Sequence, residues 1–175
     1  MSSSPTSSPR ILVAYASKHG ATREIAEAIA AELREAGCTV DCREAHDAAR
    51  PEGYDAVVLG SATYAKRWRR EARHFLHHHR DALAQRPLWL FSSGPVGADT
   101  PDPEWLEPHM VVQAAEELGA RGHVVFGGRV PADPGNFVER ARARNTPAEV
   151  ADLRDWDEIR AFARQVATTV AAPTT

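Results

Sequence analysis

Short apolar runs alternate with longer segments of helical periodicity along most of the chain. The first run, residues 11–16 (Ile-Leu-Val-Ala-Tyr-Ala), is unbroken, which is typical of a strand buried on both faces of a sheet. From Thr22 the apolar residues recur at intervals of three and four, and this helical pattern ends at Gly37 as a C-terminal cap. A buried strand that leads into a helix predicts a parallel sheet covered by helices.

The same alternation continues to the end of the chain and predicts the whole fold. The further strands are expected at residues 38–42, 56–59, 88–91 and 123–126, and the further helices at about residues 66–83, 105–118 and 155–170. The polar interruptions of the strand at 38–42 suit a sheet edge. We therefore predict an α/β fold: a doubly wound, five-stranded parallel sheet of order 2-1-3-4-5 in a three-layer α/β/α arrangement. In that arrangement ligands bind beyond the carboxyl ends of strands one, three and four.

Length and charge narrow the organisation and the class of ligand. The 175 residues, 43% of them hydrophobic, suffice for one domain, predicted over residues 10–170, with disordered tails at 1–9 and 171–175. A net charge of −3 lacks the basic excess of a nucleic-acid binder. No stretch is apolar enough for a membrane span or a secretion signal, so we expect a cytoplasmic protein, and the oligomeric state stays open.

The two cysteines are predicted to be reduced thiols. Cys38 and Cys42 lie four positions apart on one strand, which separates them by roughly 13 Å. That distance is too long for a disulfide.

The loop after the first strand is the best candidate for binding an anion. Gly20 allows an unusual backbone angle there, and the first amides of the following helix point outward with the positive end of the helix dipole. Ser17, Thr22 and His19 add side-chain donors, although Ser17 or Thr22 could instead only cap the helix. The whole predicted loop is Ser17, Lys18, His19, Gly20, Ala21 and Thr22.

Two further loops follow strands three and four and are compatible with the same ligand. The first combines small residues, hydroxyls and two aromatic rings, and Tyr64 or Trp68 could stack on a flat ring or pack over the sheet. The second brings backbone amides close to a ligand because Gly94 and Gly97 carry no side chain. The candidate ligand-binding residues of these loops are Ser61, Ala62, Thr63, Tyr64 and Trp68, and then Ser92, Ser93, Gly94, Pro95 and Gly97.

Three such loops at neighbouring strand ends point to one binding site, and its motif resembles that of a known family. The pattern [ST]-x-x-G-x-T, present as Ser17, Gly20 and Thr22, is similar to the phosphate-binding loop of the flavodoxin family. The resemblance covers residues 10–170 and implies a flavodoxin-like fold with flavin mononucleotide (FMN) as the cofactor. The glycine motifs of dinucleotide- and triphosphate-binding folds are absent from the sequence.

Within that family the chain looks most like the flavodoxin-type, menaquinone-dependent protoporphyrinogen oxidases and related flavodoxin-domain proteins. The similarity rests on residues 145–149, on Asp155-Trp156 and on residues 162–164, together with an aromatic and basic loop after strand three. One departure is the connection at 127–144, which is shorter here and carries only Val130, Phe137 and Val138 as large apolar residues.

A cluster of five cations beside the second loop bears on the choice between functional hypotheses. The resemblance to flavodoxins that carry electrons would imply an acidic surface around the flavin, whereas residues 66–73 of this chain are strongly basic. The first hypothesis is an FMN-dependent oxidoreductase that acts on a small, anionic organic substrate of the porphyrinogen or quinone type. In this hypothesis the flavin N5 atom supplies the chemistry, and Lys66, Arg67 or Arg70 contacts the substrate. The alternatives are a one-electron carrier for a redox partner protein and a module without flavin; the cations could also be a solvated helix face.

Four histidines on the second helix raise the question of a metal site. His74 and His78 lie one helical turn apart, and His77 and His79 flank them. Two ligands do not complete a metal site, so we predict a solvated helix end and no metal.

Overall fold

The computed structural model describes residues 7–94, 107–131 and 133–172. Its sheet runs in the order β2-β1-β3-β5-β6, with every neighbouring pair in that path parallel. A sixth short strand, β4, pairs antiparallel with β3. The predicted doubly wound order is therefore confirmed. The strands are β1 (Arg10–Ala16), β2 (Thr39–Glu44), β3 (Ala56–Tyr64), β4 (Arg67–Trp68), β5 (Leu88–Ser93) and β6 (Gly122–Phe126).

Helices cover both faces of the sheet and make two hydrophobic cores. Helices α1 and α6 pack on one face, and α2, α3 and α4 pack on the other. The helices are α1 (Ala21–Glu35), α2 (Arg70–His78), α3 (Arg80–Ala84), α4 (His109–Leu118), α5 (Phe137–Asn145) and α6 (Trp156–Ala171), with 3-10 turns at Pro51–Gly53 and Ala148–Val150. The part of the predicted third helix that begins at Trp105 lies outside the described residues.

Strand β1 shows why the unbroken apolar run is needed. Successive side chains of a strand point to opposite faces. Ile11 and Val13 accordingly pack in one core, whereas Leu12 and Ala14 pack in the other. All four side chains are fully buried. A polar residue at any of these positions would face a helix layer and not water.

The predicted loops after strands three and four are in part strand. Strand β3 continues to Tyr64 and β5 continues to Ser93, so the candidate residues at 61–64 and 92–93 lie on extended backbone. The register pairs Ser61 with Ser92 and Ala62 with Ser93. These small residues therefore belong to the carboxyl ends of two neighbouring strands.

The prediction that the second helix begins at Lys66 is wrong. Tyr64 pairs with Arg67 in a tight hairpin, and the two residues between them, Ala65 and Lys66, have φ values of 47° and 61°. Positive φ at both central residues is the geometry of a type I′ hairpin turn. Helix α2 therefore begins only at Arg70 and ends at His78, and α3 follows after His79.

A short helix, α5, lies in the connection that follows β6. The connection at 127–144, for which the sequence predicts no helix, contains most of α5, whose start is capped by the Asn136 side chain accepting from the Glu139 amide at 2.9 Å. Both cysteines are free, and burial raises the pKa of Cys42 to about 11.

Among the described residues, no helix has the length and apolar character that a membrane crossing requires.

Candidate functional site

A cavity opens at the carboxyl ends of β1, β3 and β5, where the three loops were predicted to converge. Its wall contains ten of the residues predicted to bind the cofactor. They are Ser17, Lys18, His19, Ala21, Thr22, Ala62, Thr63, Tyr64, Ser93 and Gly94. The structure thus brings all three segments to one site, although Pro95 and Gly97 lie outside the described residues.

The first loop has the geometry of an anion site. Gly20 precedes α1 with φ +91° and ψ −12°, a left-handed conformation that favours glycine. Its amide donates to Ser17 Oγ at 3.0 Å, which braces the loop and leaves the hydroxyl proton of Ser17 to donate elsewhere. The amides of the first turn of α1 have no partners within the helix. An anion in the cavity can therefore receive several hydrogen bonds from this loop.

Thr63 provides an independent indication that a polar ligand belongs in the cavity. Its side chain is 9% exposed and lines the wall, and its buried Oγ1 has no hydrogen-bond partner among the described residues. A buried hydroxyl without a partner costs about 1–3 kcal/mol, so a ligand that pairs with it recovers this cost. The donor set, the helix start and this hydroxyl fit the phosphate and polar edges of FMN.

We expect the Thr63→Val substitution to weaken FMN binding about tenfold without loss of stability, because it removes the unpaired hydroxyl and keeps the side-chain shape. Fluorescence titration with FMN and a denaturation curve would measure both quantities. Thr39→Val, at an exposed position on β2, is the matched control. Unchanged FMN affinity in the Thr63 variant would contradict a role for this hydroxyl.

Besides Gly20, three of the described residues that were predicted to bind the ligand lie outside the cavity wall and support it. Ser61 Oγ donates to the Ala62 carbonyl at 2.8 Å and accepts from the Arg69 amide at 3.0 Å. Trp68 is 1% exposed, and its Nε1 donates to Ser92 Oγ at 2.8 Å. The prediction that Trp68 could stack on the flavin is therefore wrong, because its ring is held in the core between strand ends.

The hydrogen bonds of Ser92 extend to a half-buried histidine, His123. Ser92 Oγ lies 2.9 Å from His123 Nε2, and burial lowers the pKa of His123. Because Trp68 can only donate to Ser92, the hydroxyl proton of Ser92 remains for a hydrogen bond with the imidazole. This chain of hydrogen bonds links β4, β5 and β6 behind the cavity.

Tyr64, unlike Trp68, lies in the cavity wall. It lines the cavity with 39% of its surface exposed, and Lys18 Nζ lies 5.6 Å from the centre of its ring. An aromatic wall beside the phosphate loop suits a flat, partly charged ligand.

The opposite wall comes from residues that the sequence analysis did not select: Gly128, Arg129, Val130, Pro131 and Glu139. Arg129 is held there by an ion pair from its Nη1 to Glu24 Oε2 at 3.1 Å. The same carboxylate receives Arg154 Nη1 at 2.6 Å, and both arginines hold the pKa of Glu24 below its usual range. The first turn of α1 is thus tied to the segment after β6.

Glu139 brings a carboxylate directly to the loop Ser17–Thr22, which is predicted to bind a phosphate. It accepts from Lys18 Nζ, from the Gly135 amide at 2.8 Å, and lies 3.2 Å from His19 Nε2. These contacts, the Lys18 ammonium first, lower the pKa of Glu139 to about 2. The spacing Asn136-x-x-Glu139 resembles a helix-capping pattern and could have revealed α5, but not its position over the cavity.

The candidate substrate cations and the histidines lie outside the cavity wall. Arg67 and Arg70 are exposed, and Lys66 is half-buried in the hairpin turn. The rings of His74 and His78 stack with their centres 5.6 Å apart. Within the described ranges, no group of three or more potential metal ligands occurs.

Comparison with known proteins agrees with this geometry. The chain matches the Flavodoxin domain family over residues 12–146. It belongs to this family. FMN is accordingly its cofactor, and the chain is a flavodoxin-like flavoprotein with a redox function.

Individual relatives are more distant. Protoporphyrinogen IX dehydrogenase [quinone] of Escherichia coli K12 is 31% identical over 85 residues, which are 47% of this chain and 47% of that protein. The match thus spans about half the length of the curated relatives. Flavodoxin 2 of Bacillus cereus superposes with a TM-score of 0.62 at 24% identity, covering 91% of this chain and 99% of its own. A flavodoxin from the domain Archaea gives a TM-score of 0.62 at 16% identity, covering 93% and 99%. These structural likenesses show the fold.

Proposed function

We propose that this flavodoxin-domain protein is an FMN-dependent oxidoreductase that acts on a small, anionic organic substrate. The FMN phosphate binds the loop from Ser17 to Thr22, and the ring system lies against Thr63 and Tyr64. When bound, FMN supplies the redox chemistry. The contribution of the chain is to orient the cofactor and to present charge to the substrate.

The observation that carries the proposal is the hairpin at the mouth of the cavity. Tyr64 forms part of the cavity wall, and its backbone partner across the hairpin is Arg67, whose side chain is exposed. Arg70, also exposed, follows at the start of α2. An exposed guanidinium next to the aromatic wall attracts carboxylates, because it can donate two parallel hydrogen bonds to them.

The substrate class draws on the partial similarity to the E. coli enzyme. The name of that enzyme describes a dehydrogenase of protoporphyrinogen IX that uses a quinone. Protoporphyrinogen IX is a carboxylate-bearing, largely apolar compound, which suits a mouth formed by Tyr64 and Arg67. Porphyrinogens and quinones are therefore the first compounds to test as the two redox partners of this chain.

The test is anaerobic mixing of the FMN-loaded chain with protoporphyrinogen IX, followed through the visible absorbance of the flavin. We expect bleaching by the porphyrinogen and recovery on addition of a quinone. If dithionite bleaches the flavin but porphyrinogens and quinols do not, the enzyme proposal fails and an electron carrier for a protein partner is favoured.

We expect Arg67→Ala to raise the porphyrinogen concentration needed for half-maximal bleaching by about two- to fivefold, the usual scale for one exposed charge pair. The matched control is Arg121→Ala. Arg121 is exposed and directly precedes β6, so it lies at the amino ends of the strands, whereas the cavity lies at their carboxyl ends. Equal behaviour of the two variants would argue against substrate contact by Arg67.

A further inference from the structure

Glu139 contacts the groups of the phosphate loop that a phosphate would use. Its carboxylate accepts from the Lys18 ammonium and lies 3.2 Å from Nε2 of His19. All three residues line the cavity. A carboxylate and a phosphate have the same hydrogen-bonding preferences, since both are anions that accept from lysine and imidazole donors.

The Glu139 carboxylate and the FMN phosphate compete for the donors of Lys18 and His19. The phosphate of FMN carries between one and two negative charges near neutral pH, by analogy with other phosphate monoesters. Glu139 is fully ionised at that pH, because its pKa lies near 2. Two anions in contact within a half-buried site repel each other. One of them must therefore give way when FMN binds.

Helix α5 is the element that can move at low cost. Phe137 and Val138 at its start are 79% and 73% exposed, and none of its described side chains is fully buried. Little apolar surface is therefore lost if the helix leaves the loop. Glu139 is the α5 residue whose side chain accepts a hydrogen bond from Lys18 and contacts His19.

We propose that Glu139 is an intramolecular competitor of the FMN phosphate, and that it sets the selectivity of the site between FMN and flavins without a phosphate. The inference rests on the proposed placement of the phosphate on the Ser17–Thr22 loop. FMN must displace Glu139 from Lys18 and His19, and this displacement releases α5. Riboflavin, which has no phosphate, leaves Glu139 and α5 in place.

The experiment compares FMN and riboflavin binding to Glu139→Gln by fluorescence titration. The matched control is Glu149→Gln, at an exposed residue of the following 3-10 turn, since both variants change the net charge equally. We expect Glu139→Gln to bind FMN about tenfold more tightly than the control, the effect of 1.4 kcal/mol. Its riboflavin affinity should match that of the control within about twofold.

A second measurement needs only the wild-type chain. If FMN displaces α5, trypsin should cut after Arg140 and Arg144 several-fold faster with saturating FMN than with saturating riboflavin. Protection of these sites by FMN, or an FMN affinity of Glu139→Gln no higher than that of the control, would overturn the competition. Failure of the wild-type chain to bind FMN would instead overturn the proposed function.

Discussion

Replacing Gly60 with alanine is expected to lower the free energy of unfolding by about 3 kcal/mol or more. Gly60 lies in the middle of β3 and pairs with Phe91 on β5. A β-carbon at this position would lie 2.0 Å from Cζ of Phe91, whose ring is fully buried. The ring also packs against Phe126, with the two centres 5.8 Å apart, so it cannot turn aside freely. Chemical denaturation of the FMN-free chain measures the loss.

The control for this prediction is Gly53→Ala. No atom lies within 4 Å of the position that a β-carbon would take at Gly53. We expect that variant to unfold within about 1 kcal/mol of the wild type. Adding Phe91→Leu to Gly60→Ala should cost less than the sum of the two single losses, because the smaller side chain relieves the clash. A Gly60→Ala protein as stable as Gly53→Ala would show that the packing described here is wrong.

The Gly20→Ala substitution is expected to weaken FMN binding tenfold or more and to affect riboflavin much less. At φ +91° an alanine is strained by about 1–2 kcal/mol, and relief of this strain would break the hydrogen bond from the Gly20 amide to Ser17 Oγ and reshape the loop that presents the α1 amides to the phosphate. Fluorescence titration with both flavins separates the loss of phosphate contacts from a general loss of structure.

Gly119→Ala is the matched control for Gly20→Ala. Gly119 ends α4 with φ +63°, no atom lies within 4 Å of its β-carbon position, and neither it nor its neighbours in the chain belong to the cavity wall, whereas Gly20 lies between the wall residues His19 and Ala21. An alanine there is therefore strained in its backbone alone and should reduce stability while leaving FMN affinity unchanged. If Gly20→Ala lost no more FMN affinity than Gly119→Ala, the loop would not be the phosphate site.

The hydrophobic pattern was sufficient to predict the sheet and most of its helices. The unbroken run at 11–16 and the helical periodicity after Thr22 reflect which residues are buried, and the pattern of apolar residues in the sequence shows this directly. The hairpin was missed because type I′ turns are usually signalled by glycine or asparagine, whereas Ala65 and Lys66 occupy this one. Trp68 was misjudged for the same reason, since the hairpin turns its ring into the core.

The second wall of the cavity could not be predicted from local pattern. Arg129 lies 105 positions from its partner Glu24, and Glu139 lies 121 positions from Lys18. No periodicity or turn signal encodes such contacts, which depend on how the segment after β6 returns over the sheet. The loop Ser17–Thr22 could be predicted as a phosphate site because the residues that suggest it are consecutive in the sequence.

The most direct test of the central claim, that Ser17–Thr22 holds the phosphate of bound FMN, is a paired titration of the FMN-free chain with FMN and riboflavin. We expect one FMN per chain, bound at least about tenfold more tightly than riboflavin, with the difference reduced in Gly20→Ala. Absence of FMN binding, or equal affinity of the wild-type chain for the two flavins, would contradict the account.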